Sequence, residues 1–169
     1  MAEPEDHGSE ALGRLLRGVP GAVLASHAER GDATALVDPA RLLEAMRYLR
    51  DDPAAAFDML TDVTAVDYLG YPGRGGPRFE VVYHLYSLAR GKRIRIKVGA
   101  DADAPEVPTA IEIWPAANWM EREVWDLYGI RFAGHPDLRR ILLYDEFEGH
   151  PLRKDYAKER RQPLVGPRN

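Results

Sequence analysis

Residues 92–100, KRIRIKVGA, set Ile94, Ile96 and Val98 against Arg93, Arg95 and Lys97 in strict alternation. Successive side chains on a strand point to opposite faces, so this stretch commits the chain to a sheet with one dry face and one wet face. Two more strand-like runs precede it, FDMLTDVTAVDYL (57–69) and RFEVVYHLYSL (78–88). The dry face needs a cover, and the sequence upstream supplies amphipathic helices for it. In DPARLLEAMRYLRDD, Asp38 is placed to cap, Pro39 sits at the first helical position, and Leu42, Leu43, Met46 and Leu49 form one apolar stripe before Pro53 ends the element. Glu10 to Arg17 reads as a shorter opening helix, stopped by Gly18 and Pro20. Between the two helices, AVLASHAERGDATALVD (22–38) has two apolar runs around Arg30-Gly31-Asp32, the pattern of a hairpin.

The element order is helix, two strands, helix, three strands, and it predicts an α+β chain. Its body is a two-layer α/β unit with a mixed sheet of about five strands and the helices on one face. A closing helix and an extended C-terminal tail follow. The expected division is a flexible N-terminal tail at 1–9, a body with its closing helix at 10–130, and an extended basic tail at 131–169. With 169 residues, one core is enough. The glycine- and proline-rich loop GYPGRGGPR (70–78) lacks the lysine and following helix of a phosphate-binding loop, so it reads as a connection only.

Several classes of function fall away on composition. No cysteine is present, which excludes disulfides, a thiolate nucleophile and a cysteine-ligated iron–sulfur cluster in this chain. No apolar run approaches the roughly 18 residues that span a bilayer, so membrane association is expected to go through a partner. The start, MAEPEDHGSE, is acidic and has no apolar core, unlike a secretory signal, and a cytoplasmic chain is expected. Charge is unevenly spread: residues 1–130 hold 14 basic and 21 acidic side chains, residues 131–169 hold 9 and 6. The interspersed acids and the acidic body argue against a nucleic-acid track.

The densest chemistry lies in NWMEREVWDLYGIRFAGHPDLRRILL (118–143). Asn118 as cap, Glu121 three residues on, and Gly129 as terminator predict a helix over 119–128. Met120, Val124, Leu127 and Tyr128 share one face, which leaves Glu121, Arg122 and Asp126 largely on the other, solvated one. The preceding PTAIEIWPAA (108–117) hints at a further short helix broken by Pro115. An acid/base pair of Glu121 and Glu123 aided by His135 fits poorly, because side chains at i and i+2 of a helix diverge by about 200°. A single histidine is also a poor metal site. More telling are GHPDLRRILL (134–143) and GHPLRKD (149–155), which repeat Gly-His-Pro, a leucine and paired cations around an acidic YDEFE. A tail of this composition has too few apolar residues for a core of its own. Guanidinium groups that pair bidentately with carboxylates suit an interface, so Arg139, Arg140, Arg153 and Lys154 are assigned to docking.

From Trp114 to Tyr156 these residues closely resemble the signature of the thirty-kilodalton subunit family of proton-pumping NADH:quinone oxidoreductase, respiratory complex I. The body is consistent with that family along the whole chain. Two departures are visible: Glu146-Phe147 where the family usually has Asp-Trp, and Ala157 where it has proline. The resemblance implies a non-catalytic subunit of the peripheral arm, on the cytoplasmic side of a bacterial inner membrane. It implies no cofactor in this chain, with FMN and iron–sulfur clusters in partner subunits, and partners that are the forty-nine-kilodalton quinone-site subunit and the iron–sulfur subunits. The implied partner interface comprises Glu121, Arg122, Glu123 and Asp126 on the helix and Arg131, His135, Asp137, Arg139 and Arg140 after it. His150, Arg153, Lys154, Asp155 and Tyr156 complete it at the second turn. The alternatives are the equivalent subunit of a related membrane-bound hydrogenase-type complex and an independent hydrolase using Glu123 and His135.

Overall fold

A computed structural model describes residues 9–162; the expected N-terminal tail before Ser9 and the last seven residues lie outside them. The opening helix α1 runs Ser9–Gly18 and leads into β1 (Val23–His27) and β2 (Thr34–Val37). The two strands pair antiparallel around a turn in which Arg30 and Gly31 both take positive φ. Asp38 accepts a hydrogen bond from the Ala40 N–H at 2.9 Å, and its single 3-10 turn feeds helix α2 (Leu42–Asp51). Three nine-residue strands follow: β3 (Met59–Asp67), β4 (Phe79–Ser87) and β5 (Lys92–Ala100).

The five strands form one sheet in the order β1-β2-β5-β4-β3. Only the β2–β5 join is parallel, so the sheet is mixed, as the element order predicts. The alternation in β5 resolves as expected. Ile94, Ile96 and Val98 stand opposite Leu85, Tyr83 and Val81 of β4, all buried, while Arg95 and Lys97 stand opposite His84 and Val82 on the other face. One core cluster joins these inward residues to Leu12 and Leu15 of α1, Leu42, Met46 and Leu49 of α2, and Val124 of the closing helix. All three helices therefore cover the same face of the sheet.

The closing helix α3 runs Ala117–Tyr128 and packs along β3. It is flanked by β6 (Glu106–Pro108) and β7 (Arg131–Ala133), which pair in parallel as a two-stranded ribbon. The sequence gives no sign of this ribbon, since three residues are too few to display an alternation. Val107 and Phe132, both buried, pin it to the core. The short helix suggested for residues 108–117 is a single turn, with the Ile113 and Trp114 N–H groups both donating to the Ala110 carbonyl. The capping pair expected at Asn118 and Glu121 is absent, because α3 begins at Ala117, two residues before the expected start, without a side-chain cap, and Glu121 is used elsewhere.

Helices α1 and α2 approach so closely at Gly18 that an added Cβ would lie 2.0 Å from the Tyr48 ring. Gly18→Ala is expected to lower stability by about 1–3 kcal/mol through overpacking. Urea unfolding checks this, and an unchanged midpoint would show that Tyr48 moves aside freely.

Candidate partner-binding site

After β7 the chain leaves the sheet and returns along α3 as a strap, residues 134–162, without regular secondary structure. A segment of this kind carries unpaired N–H and C=O groups that need partners. The partners are the charged side chains of the signature. Asp126, fully buried, accepts N–H bonds from Ile141, Leu142 and Leu143 on Oδ2 at 2.9–3.1 Å and from Arg140 on Oδ1 at 2.6 Å. Arg140 continues to the carbonyls of Phe147 and Gly149, at 2.7 and 3.1 Å. Arg122 donates to the carbonyls of Arg139 and Arg140, at 3.1 and 3.0 Å. Arg153 reaches the Tyr128 carbonyl at the end of α3. His150 Nδ1 lies 2.9 Å from the Asp126 carbonyl, so that nitrogen carries the proton.

Helical periodicity assigns Glu121, Arg122 and Asp126 to the solvated face of α3, yet all three are buried. The helix has two covered faces, one against the sheet and one beneath the strap, and the covered charges are tolerated because each is matched to donors or acceptors. Burial alone would push the Asp126 carboxyl up, but the N–H donors of 141–143 and Arg140 override it and hold the group below its usual range.

A second lock ties the strap to the sheet. Arg78, at the start of β4, forks onto Asp67 at 2.7 and 3.0 Å and onto Asp155 at 2.8 and 2.9 Å. Asp67 also accepts the Lys154 N–H at 2.9 Å. Burial pushes Asp67 up, yet Arg78 and the Lys154 and Leu69 N–H groups take it down to about 2. Gly129 ends α3 at φ 71°, and a Cβ there would lie 2.5 Å from the His150 ring and 2.8 Å from Arg153, so glycine serves both the turn and the close passage of the strap. Tyr156 stacks on Phe147 at 6.1 Å, and both departures from the family pattern, Glu146-Phe147 and Ala157, lie inside the strap.

The remaining members of the expected interface lie at the surface. Glu123, Arg131, Asp137, Arg139, Lys154 and Asp155 are exposed, with Arg139 bonded to Asp137 and Arg131 near Glu106. His135 is partly buried. Its Nδ1 accepts the Asp137 N–H at 3.0 Å and its Nε2 faces the Asn118 carbonyl at 3.2 Å. Both ring nitrogens are thus engaged within the chain, and none is left to work with Glu123. Among the described residues no group of three or more histidine, aspartate and glutamate side chains is placed to hold a metal ion. No helix there is long and apolar enough to cross a membrane.

Missed by sequence reasoning were Asp67 and Arg78, which lie far from the signature in the chain, and the use made of Glu121. Its carboxylate accepts from the Thr109 hydroxyl at 2.5 Å and the Ala110 N–H at 2.7 Å, joining α3 to the turn before it.

The family model for the respiratory-chain NADH dehydrogenase 30 kDa subunit matches residues 35–162. The chain belongs to this family. The C subunit of NADH-quinone oxidoreductase from Acidithiobacillus ferrooxidans is 50% identical over 163 residues, covering 95% of this chain and 74% of that one. Among solved structures, a trypsin-resistant fragment of Nqo5 superposes with a TM-score of 0.66 at 36% identity, covering 76% of this chain and 99% of the fragment. A chain of the membrane-bound sulfane sulfur reductase, an archaeal respiratory membrane complex, gives a TM-score of 0.73 at 25% identity, covering 89% of this chain and 86% of that one. The segment matched by the family model, residues 35–162, spans both locks and the strap.

Burial pushes the Glu121 carboxyl up to about 7 against its two hydrogen bonds. A raised carboxyl keeps its proton in the folded state while the unfolded chain loses it near 4.5, so stability falls as pH rises from about 4.5 to about 7. The full effect is about 3 kcal/mol. Glu121→Gln can keep both hydrogen bonds without a titrating group and should remove that decline. Urea midpoints across this pH range test it, and equal slopes in the two proteins would contradict it.

Proposed function

We propose that this chain is a non-catalytic assembly subunit of the peripheral arm of a proton-translocating NADH:quinone oxidoreductase. In that complex electrons pass from NADH through FMN and iron–sulfur centres to quinone, and those groups belong to partner subunits. The partners are the forty-nine-kilodalton-type quinone-site subunit and the iron–sulfur subunits, on the cytoplasmic face of a bacterial inner membrane that this chain meets only through them. The observation that carries the reading is the strap. A signature shared with the 30 kDa family is folded into an ordered but coreless segment on the outside of α3, and its inner charges are spent on holding its backbone. Such a segment presents a fixed outer surface at low ordering cost, which is what a permanent scaffold contact needs. The exposed Asp137, Arg139 and Lys154 lie on that surface and border the contact, while Glu123 of α3 and Arg131 of β7 are exposed outside the strap.

The likeness to a chain of the membrane-bound sulfane sulfur reductase supports a second reading, the equivalent subunit of a related membrane-bound complex. The two assemblies are distinguished by their company. A tagged chain recovered from its own cells in mild detergent should bring down flavin- and iron–sulfur-containing subunits together with NADH:quinone activity. A chain cut after Ala133 should lose them. Recovery without NADH-oxidising partners would favour the second reading, and recovery alone would overturn both.

A further inference from the structure

The glycine- and proline-rich loop between β3 and β4 reads in the sequence as a connection only, yet it is bonded down onto the sheet face that the helices leave uncovered. Glu80 and Gly99 stand opposite each other on that face, and both hold the loop. The buried Glu80 carboxylate accepts from the Tyr68 hydroxyl at 3.2 Å and from Arg74, and it pairs with the Lys97 ammonium at 3.3 Å. The Arg74 guanidinium lies over the Tyr68 ring at 3.3 Å. Pro77 rests on Gly99 so closely that a Cβ there would lie 2.4 Å from the proline ring. The backbone closes the turn, with the Tyr68 N–H donating to the Arg78 carbonyl at 2.8 Å and the Tyr71 N–H to the Tyr68 carbonyl at 2.9 Å. A loop of flexible composition is thus held in one shape.

That shape leaves Leu69 43% exposed and Tyr71 58% exposed. Single exposed apolar groups are common and carry no message. These two, with Arg74 and Arg78, line one cleft of about 230 Å³. The cleft is continuous with the strap, because Arg78 also grips Asp155 and the Lys154 ammonium lies 5.9 Å from the Tyr71 ring. Charge around it is matched except at one point. Arg78 is taken by Asp67 and Asp155, and Arg74 and Lys97 share Glu80. The exposed Lys154 side chain forms no ion pair among the described residues and faces only the Tyr71 ring.

We propose that the loop and the second turn of the strap form one docking surface, with Tyr71 as its anchor and Lys154 as the cation that receives a carboxylate of the partner. This rests on the reading of the chain as an assembled subunit. The occupant is a neighbouring protein of the complex that presents an aspartate or glutamate beside a group that packs on the tyrosine ring. The one unmatched cation selects the carboxylate, and continuity with the strap selects the protein that the strap contacts. A tyrosine on a bonded loop offers a large contact area and loses little freedom on binding.

The test is incorporation into the complex, read from a tagged full-length chain in its own cells. Tyr71→Ala should co-purify with partner subunits about tenfold less than wild type, and Tyr71→Phe within about twofold of it, since the ring is what packs. Lys154→Glu should lose about tenfold and Lys154→Arg stay within about twofold, because the partner reads a charge there. Each variant should melt within about 2 °C of wild type, since exposed positions contribute little to stability. Wild-type incorporation by Tyr71→Ala or by Lys154→Glu would overturn this inference and leave the subunit reading standing. Normal partner recovery with lost binding to phosphatidylglycerol vesicles would do the same and make the loop a membrane contact. Normal partner recovery with lost capture of a second tagged copy would make it a contact between copies. A loss accompanied by a clearly lowered melting temperature would make Tyr71 a stability residue and sink the docking role. Failure of the wild-type chain to bring down any partner would remove the subunit reading itself.

Discussion

The Asp126 carboxylate is the group on which the outer half of this protein depends. A strap without strands or helices has no ladder to satisfy its backbone, and three consecutive N–H groups, at 141–143, converge on one buried oxygen. The second oxygen holds Arg140, whose other donors reach two carbonyls further along the strap. A buried ion pair by itself is weak evidence for stability, because desolvation offsets the attraction. Here the pair is the hub of a network in which donors and acceptors are matched, and a network of that kind specifies one geometry. Losing one member of a buried pair leaves the other charge stranded, at a cost of about 3–5 kcal/mol.

Around that hub the rest follows by reach. α3 offers Arg122 and Asp126 one turn apart, so the strap is gripped twice from the same stripe. At the far end of α3, Gly129 lets His150 and Arg153 pass close to the helix terminus. Beyond it, Arg78 binds Asp67 and Asp155 with both edges of its guanidinium, tying the strap to the edge strand and its neighbour. The strap is thus joined to a folded body whose core lies between the sheet and three helices, with Leu138 of the strap packed against it. The ionic residues perform a structural task, and the outer surface is left free for recognition.

Much of the body was legible in the sequence, because burial there follows periods of two and 3.6. The alternation of residues 93–98, the stripe from Leu42 to Leu49 and the stops at Gly18 and Pro53 each map onto an observed element. The β6–β7 ribbon was not legible, since each of its strands is a single short run. At the site, the signature stretch was legible as an interface candidate by its composition and its family resemblance, but the direction of its side chains was not. Period arguments send Glu121, Arg122 and Asp126 to solvent; the turn at Thr109–Ala110 takes up Glu121, and a second covering layer, formed by a segment with no apolar core, buries Arg122 and Asp126. Asp67 and Arg78 carry no local signal either, as their partner Asp155 lies 77 residues beyond Arg78. The one available hint was the coreless tail itself: a backbone that cannot make a sheet or a helix must find its partners in charged side chains, and the nearest supply is the ERE and WD of α3.

Amide hydrogen exchange at residues 141–143 tests this account most directly. If Asp126 holds those three N–H groups, they exchange slowly in the wild-type chain and at open-loop rates in Asp126→Ala, while amides in β4 and β5 keep their protection. Equal exchange at 141–143 in both proteins would show that the strap is held by something other than this carboxylate.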